Sequence, residues 1–275
     1  MVVDDTSSVA TAAMKDEAAS AIGGKLNVAH TTIGLSISLS DISYAGTSVL
    51  KNFNIDLEPG SISCLLGPSG VGKTSILKSV AGIIPLAEQS FLRASDGKNI
   101  ADRVSYMDQK DLLLPWASVL DNLLIAARLR GNKPDPDRAM ALLADVGLNG
   151  KENDLPNTLS GGMRQRVALA RTLMDDMQFL LVDEPFSALD AITRYRLQGL
   201  LSKLCDGRTT LMITHDPMEA LRLGHQVYVL AGSPVRLTPI DHIGGSIPRD
   251  PTDILLKEKY NQILSLLGME KDLKE

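Results

Sequence analysis

One run of residues limits the folds open to this chain more than any other: GPSGVGKT, from Gly67 to Thr74. It fits the pattern GxxxxGK[ST], whose glycines let the backbone curl until successive N–H groups face an anion, while the following helix adds its positive end. The loop Gly67, Pro68, Ser69, Gly70, Val71, Gly72 would then cradle phosphates, with Lys73 reaching the β- and γ-phosphates and Thr74 ligating Mg²⁺. Such a loop needs a buried strand before it and a helix after it. SISCLL, Ser61 to Leu66, is a short apolar strand candidate, and Ile76, Leu77 and Val80 recur at helical spacing until Gly82 ends the helix. The chain therefore reads as an α/β protein built on a strand, glycine loop, helix unit.

Two further apolar runs extend the sheet. FLLV, Phe179 to Val182, shows no alternation, as expected of a parallel strand buried on both faces, and TTLMIT, Thr209 to Thr214, is rich in β-branched residues. The first runs into Asp183, which can hold magnesium, and Glu184, which projects to the other side of the strand, where a water could attack the γ-phosphate. The second runs into His215, on the same edge as Asp183 if the sheet is parallel. Gln109 follows the strand-like RVSYM, where its amide could touch both Mg²⁺ and water, and the ring of Tyr44 could stack on a base. Each residue also has a plainer reading: an acidic pair in solvent, a structural histidine, an ordinary turn amide.

LSGGMRQRVALARTL, Leu159 to Leu173, looks like a serine-capped amphipathic helix with Met163, Val167, Ala170 and Met174 on its apolar face. Packing alone gives no reason for the glycines Gly161 and Gly162. The free N–H groups beyond Ser160 form a second candidate anion site. A single ATP has one γ-phosphate, already matched to Lys73. Two anion sites on one chain make sense together if a second copy supplies the other half of each.

Elsewhere, GLSISLSDISY and VLKNFNIDL suggest antiparallel strands closed by the turn EPGS. From Gln109 to Leu173 the pattern is helical: Ser118 with Asp121 resembles a capping box, Leu120, Leu123, Leu124 and Ala127 form a stripe, and a second helix follows around Asp137 to Val146. Residues 1–34, rich in Ala, Ser, Thr and Asp and without a secretory pattern, read as a mobile tail. The stretch at about 110–172 reads as a mainly helical subdomain. QVYVLAG and PVRLTPI are strand-like, and a helix spans Ile254 to Leu267. The net charge of −5 and the absence of a long lysine or arginine run argue against a nucleic-acid partner. No apolar run reaches the roughly 18 residues of a membrane span, and the two cysteines, Cys64 and Cys205, read as reduced and buried.

Together, GPSGVGKT, Gln109, LSGGM, VDEP, SALD and ITHD occur in the order found in the ATP-binding subunits of ABC transporters, which this chain resembles from about residue 35 to 275. The resemblance implies a P-loop ATPase core with an antiparallel β subdomain and an inserted helical subdomain. It implies that Tyr44 stacks on adenine, that Ser69, Gly70, Gly72, Lys73, Thr74 and Ser75 cradle phosphates and Mg²⁺, and that Gln109 links Mg²⁺ and water to a transmembrane subunit. Asp183 would be the magnesium acid, Glu184 the general base and His215 a γ-phosphate contact; Ser160, Gly161 and Gly162 would meet the ATP held by a second copy, and Asp190 would lie at the seam.

The partners implied are a second ATPase subunit, transmembrane permease subunits and, indirectly, a solute-binding protein, at the cytoplasmic face of the inner or plasma membrane. DLLLPWASVLDN and PRDPTDILLKEKYNQILSLL resemble the nitrate, sulfonate and taurine importers, and RVSYMDQKDLLLPW resembles the branch assigned to a pyrimidine precursor of thiamine. Pro115 and Trp116 could meet a permease helix, or Trp116 could pack inside the helical subdomain. A soluble relative acting on nucleic acid or ribosomes is the alternative, disfavoured by a single cassette and no sustained heptads. PLAEQSFLRASDGKN departs from the family's usual turn and puts its hairpin in doubt.

Overall fold

The computed structural model describes residues 32–44, 47–240 and 243–268, and within them the side chains of 43, 44 and 47–49 lie outside the description. Strands β1 (Leu35–Tyr44) and β2 (Thr47–Leu57) pair antiparallel from Leu35↔Leu57 onward. Alternation in LSISLS explains why: Leu35, Ile37 and Leu39 are buried while the serines between them are only partly so. Strand β4 (Phe91–Ala94) joins the free edge of β1, with Leu35 opposite Ala94, giving the order β2-β1-β4. The strand in PLAEQSFLRASDGKN thus forms without the family's turn, recruited by β1 rather than by a local hairpin.

The second sheet has six strands in the order β5-β6-β7-β3-β8-β9, formed by β3 (Ile62–Leu66), β5 (Val104–Met107), β6 (Phe179–Asp183), β7 (Thr209–Thr214), β8 (Gln226–Ala231) and β9 (Arg236–Ile240). All its pairings are parallel except β8 with β9. Both faces are covered, so its central strands show no polar alternation. In β6, Leu180 and Val182 enter one apolar core, and Phe179 and Leu181 enter the other. The second core lies under the antiparallel sheet and includes Ile76, Leu77 and Val80 of α1 (Lys73–Val80), the helix that follows the glycine loop.

The first core takes the remaining helices. Helix α2 (Val119–Leu129) is capped by Ser118, whose hydroxyl accepts from the Asp121 N–H at 3.1 Å, and α3 (Pro136–Asp145) is capped by Asp135. They pack with α4 (Gly161–Met174), which is buried more widely than the expected Met163 stripe: Ala168, Leu169 and Leu173 are also inside, while Met163 and Met174 are only half-buried. Helices α5 (Ala191–Leu204), α6 (Pro217–Leu223) and α7 (Ile254–Leu266) complete the layer. Cys64 and Cys205 are free and buried, and burial pushes both thiols up, leaving them unreactive.

Residues 1–31 of the proposed tail lie outside the described residues. Ile33 and Gly34 do not behave as tail: Ile33 is buried and its carbonyl accepts from the Thr209 hydroxyl at 2.6 Å, and the Gly34 N–H donates to the Ser95 hydroxyl at 3.1 Å. Among the described residues no helix is long and apolar enough to cross a membrane.

Candidate functional site

Strands β5, β6, β7 and β3 are sheet neighbours, so the residues that follow their C-terminal ends meet along one edge. Gln109 follows β5, Glu184 follows β6, His215 follows β7, and the glycine loop follows β3.

Each glycine of that loop has its own geometric reason. A Cβ on Gly67 would stand 2.5 Å from the Leu230 carbonyl oxygen, a backbone atom that cannot yield. Gly70 and Gly72 take φ of 81° and 106°, and Gly72 caps α1. Pro68, Ser69 and Gly70 are exposed, and Val71, Thr74 and Ser75 are half-buried. Lys73, only 6 % exposed, folds back over the loop and donates to the Gly67 and Pro68 carbonyls at 2.6 and 2.9 Å. Burial lowers its pKa, while the charges of Glu184 and Asp183 raise it.

Asp183 is 1 % exposed, with burial pushing its carboxyl up to about 6 against the opposing Thr74 side-chain hydrogen bond. Its Oδ2 is buried without a partner. An orphaned carboxylate oxygen beside a threonine hydroxyl fits a divalent cation. Among the described residues no group of three or more His, Cys, Asp or Glu forms a metal cage. Mg²⁺ takes few protein ligands and fills the rest of its shell with phosphate and water.

Glu184 leaves β6 with φ 47°, a left-handed conformation uncommon for a non-glycine residue. Its N–H donates to the Ile213 carbonyl at 3.0 Å, and its own carbonyl accepts from the Ser187 N–H at 3.3 Å. The turn aims the side chain at two other predicted site residues. Glu184 Oε2 accepts from Gln109 Nε2 at 3.1 Å and lies 3.1 Å from His215 Nδ1. Gln109 is preceded by Asp108, which pairs with Lys78 of α1 at 3.1 Å, and Asp111 and Leu112 beyond it are held from α4. There Arg171 donates to both their carbonyls at 2.8 Å, and Arg164 pairs with the Asp111 carboxylate at 3.0 Å.

The start of α4 stands apart from this cluster. Ser160 accepts from the Met163 N–H at 3.3 Å, and Ser160 and Gly161 are exposed. Among the described residues no hydrogen bond or ion pair joins Ser160, Gly161 or Gly162 to the glycine loop. Gly162 does have a packing reason, contrary to the sequence reading: a Cβ there would lie 3.0 Å from the Ala188 carbonyl oxygen. Gly161 has none, with only the tip of Arg164 within reach at 3.9 Å. Asp190 caps α5 through the Thr193 N–H at 3.0 Å. Tyr44 ends β1, but its side chain lies outside the described residues.

Sequence reasoning missed Gln165. It is buried in α4, and its amide bridges the Glu184 carbonyl and the Ala188 N–H at 2.9 and 2.8 Å. It shares a helical face with Ala168, Leu169 and Thr172, whose mixed polarity does not read as core.

Residues 50–187 match the family model described as "ABC transporter". The chain is 37% identical over 242 residues to an uncharacterized ABC transporter ATP-binding protein of Haemophilus influenzae, covering 86% of this chain and all of that one. It is 43% identical over 204 residues to the aliphatic sulfonates import ATP-binding protein SsuB 1 of Rhodococcus jostii, covering 74% of this chain and 81% of that one. Among solved structures it resembles the dimeric bacterial ABC transporter cassette MJ0796, with TM-score 0.64 and 26% identity over 71% of this chain and 93% of that one. The dimeric post-hydrolysis state of that cassette, bound to ADP and Pi, gives TM-score 0.66 and 25% identity over 77% of this chain and all of that one.

Proposed function

The chain belongs to the ABC transporter family of ATPases, and from that premise we propose how its residues divide the work of hydrolysis and transport. The substrate is ATP, held by the loop from Gly67 to Ser75, with Tyr44 against the base. Lys73 exchanges its two loop carbonyls for the stronger, charged oxygens of the β- and γ-phosphates. Thr74, Asp183 and Gln109 would hold Mg²⁺, which supplies charge neutralisation on the phosphates when bound.

Glu184 is the general base. Gln109 and His215, both at 3.1 Å from its Oε2, orient it and the attacking water. The water oxygen bonds to the γ-phosphorus, the bond from that phosphorus to the β–γ bridging oxygen breaks, and Glu184 takes the water's proton. ADP and inorganic phosphate result. The convergence of Gln109 and His215 on one Glu184 oxygen, along the edge that carries the glycine loop, is the observation that carries this reading.

Ser160, Gly161 and Gly162 belong to the other half of the reaction. Ser160 and Gly161 are exposed, and among the described residues none of the three bonds to its own glycine loop, so they suit contact with ATP held by a second copy, with Asp190 at the seam of the homodimer. The similarity to dimeric cassettes supports this arrangement.

We assign residues 35–275 to one ATPase domain with a helical subdomain at about 110–172. The permease-facing surface follows Gln109: Leu112 and Trp116 are 58 and 76 % exposed, so Trp116 does not pack inside the subdomain. Docking there would hold the chain at the cytoplasmic face of the membrane as a peripheral subunit. Relatives named as aliphatic sulfonate import ATP-binding proteins favour uptake of a small anionic solute; its delivery by a solute-binding protein is part of the same proposal. Those names support reading a sulfonate as the solute in preference to nitrate, taurine or a thiamine pyrimidine precursor, and they lend nothing to a nucleic-acid or ribosomal role. The test is phosphate release from Mg-ATP by the purified chain, expected to vanish in Lys73→Ala; release that persists in that variant would contradict the reading.

A further inference from the structure

Gln165 sits one turn inside α4, is 5 % exposed, and spends all of its amide's hydrogen-bonding groups on a single segment of a different element. Its Nε2 donates to the Glu184 carbonyl at 2.9 Å and to the Ser187 hydroxyl at 3.2 Å, and its Oε1 accepts from the Ala188 N–H at 2.8 Å. Both donors face oxygens and the acceptor faces an N–H, so only one orientation of the amide satisfies the site.

The segment it grips is the one that needs gripping. Glu184 is held at φ 47°, a conformation that persists only where the surroundings over-determine it, and its carbonyl is the oxygen Gln165 binds. The backbones are close on the helix side as well, since a Cβ on Gly162 would come within 3.0 Å of the Ala188 carbonyl. The start of α4 and the segment from Glu184 to Ala188 are therefore joined by both an amide and a glycine contact.

We propose that Gln165 is a positioning residue for hydrolysis: it fixes the left-handed turn that aims the Glu184 carboxylate, and fastens that turn to the helix whose exposed tip, Ser160 and Gly161, faces outward. Movement of the α4 tip is thereby passed to the turn beneath Glu184. This rests on the reading of Glu184 as general base.

Two variants of the full chain separate the bonds. Gln165→Leu removes all three, whereas Gln165→Glu keeps the shape and the acceptor for Ala188 but presents a carboxylate that cannot donate to the Glu184 carbonyl. Each is expected to lower kcat for ATP tenfold or more while KM stays within threefold. Gln198→Leu is the control, because Gln198 is equally buried and donates to Glu219 at 3.2 Å on α6, away from the turn. At a comparable loss of Tm it should keep kcat within threefold.

Turnover within threefold of wild type in Gln165→Glu, or a kcat loss that Gln198→Leu shares at matched Tm, would overturn the proposal. Glu184→Gln is assayed alongside. If it is inert while both Gln165 variants turn over normally, only the role of Gln165 falls; if it turns over like wild type, the general-base reading falls and takes this role with it.

Discussion

His215 Nδ1 lies 3.1 Å from the same carboxylate oxygen of Glu184 that accepts the Gln109 amide. The two residues come from the ends of neighbouring strands, β7 and β6, and the register Asp183↔Ile213 brings those ends level. On the proposed reading of Glu184 as the base, His215 serves the γ-phosphate without contributing to the loop that binds it. His215→Ala is expected to lower kcat by roughly 10²–10³, the usual cost of removing one donor from a charge-stabilising site. ATP affinity, measured by titration of a fluorescent nucleotide, should change by less than about threefold; a large loss of affinity would make His215 a binding residue instead.

Ser160 is exposed at the tip of α4 and, among the described residues, makes no bond to its own glycine loop. Ser160→Arg should abolish ATP hydrolysis while leaving nucleotide binding to the isolated chain intact, because on the proposed arrangement its partner phosphate is held by the second copy. Loss of binding by the monomer would return Ser160 to a purely structural role.

Gly161 and Gly162 separate the two uses of this helix start. Gly162→Ala forces a Cβ to 3.0 Å from the Ala188 carbonyl and should destabilise the chain by about 1–3 kcal/mol, as overpacking does. Gly161→Ala meets nothing but an arginine tip and should leave stability within about 0.5 kcal/mol. Urea denaturation midpoints decide the first comparison. A loss of turnover in Gly161→Ala at unchanged stability would then report the contact made in trans.

Glu219, in α6 just beyond His215, provides a pH test. Burial pushes its carboxyl up to about 7 from an ordinary 4.5; Asp216 adds to the rise, while bonds to Thr214 and Gln198 and the charge of Arg194 oppose it. The folded chain thus keeps a proton that the unfolded chain has already released. Stability from this group is full below about pH 4.5 and falls as pH rises to about 7, by about 3 kcal/mol in all. Glu219→Gln should raise Tm at pH 8 and leave it unchanged at pH 4.5. An equal change at both values would show that Glu219 is not buried as a neutral acid.

The residues that end strands were legible in the sequence because a strand buried on both faces announces itself as an unbroken apolar run. FLLV and TTLMIT therefore located Asp183, Glu184 and His215 by position alone. The backbone of Glu184 was not legible, since nothing in VDEP marks a glutamate held left-handed. Gln165 and Arg171 were hidden for a related reason. Each is a polar side chain that finds its partners about 20 or 60 residues away in sequence, on the Glu184 to Ala188 segment or at Asp111 and Leu112, and helical periodicity carries no trace of such bonds. Gly162 was misjudged because the close approach of Ala188 is tertiary. The hairpin around β4 was doubted because PLAEQSFLRASDGKN departs from the family's usual turn, although the free edge of β1 was enough to recruit the strand.

The central claim is that Glu184 activates water in a site completed by a second copy of the chain. Glu184→Gln with Mg-ATP, followed by sizing chromatography and phosphate release on the same sample, tests both parts at once. The account predicts a stable nucleotide-bound dimer that releases no phosphate; a monomer that still turns over ATP would contradict it.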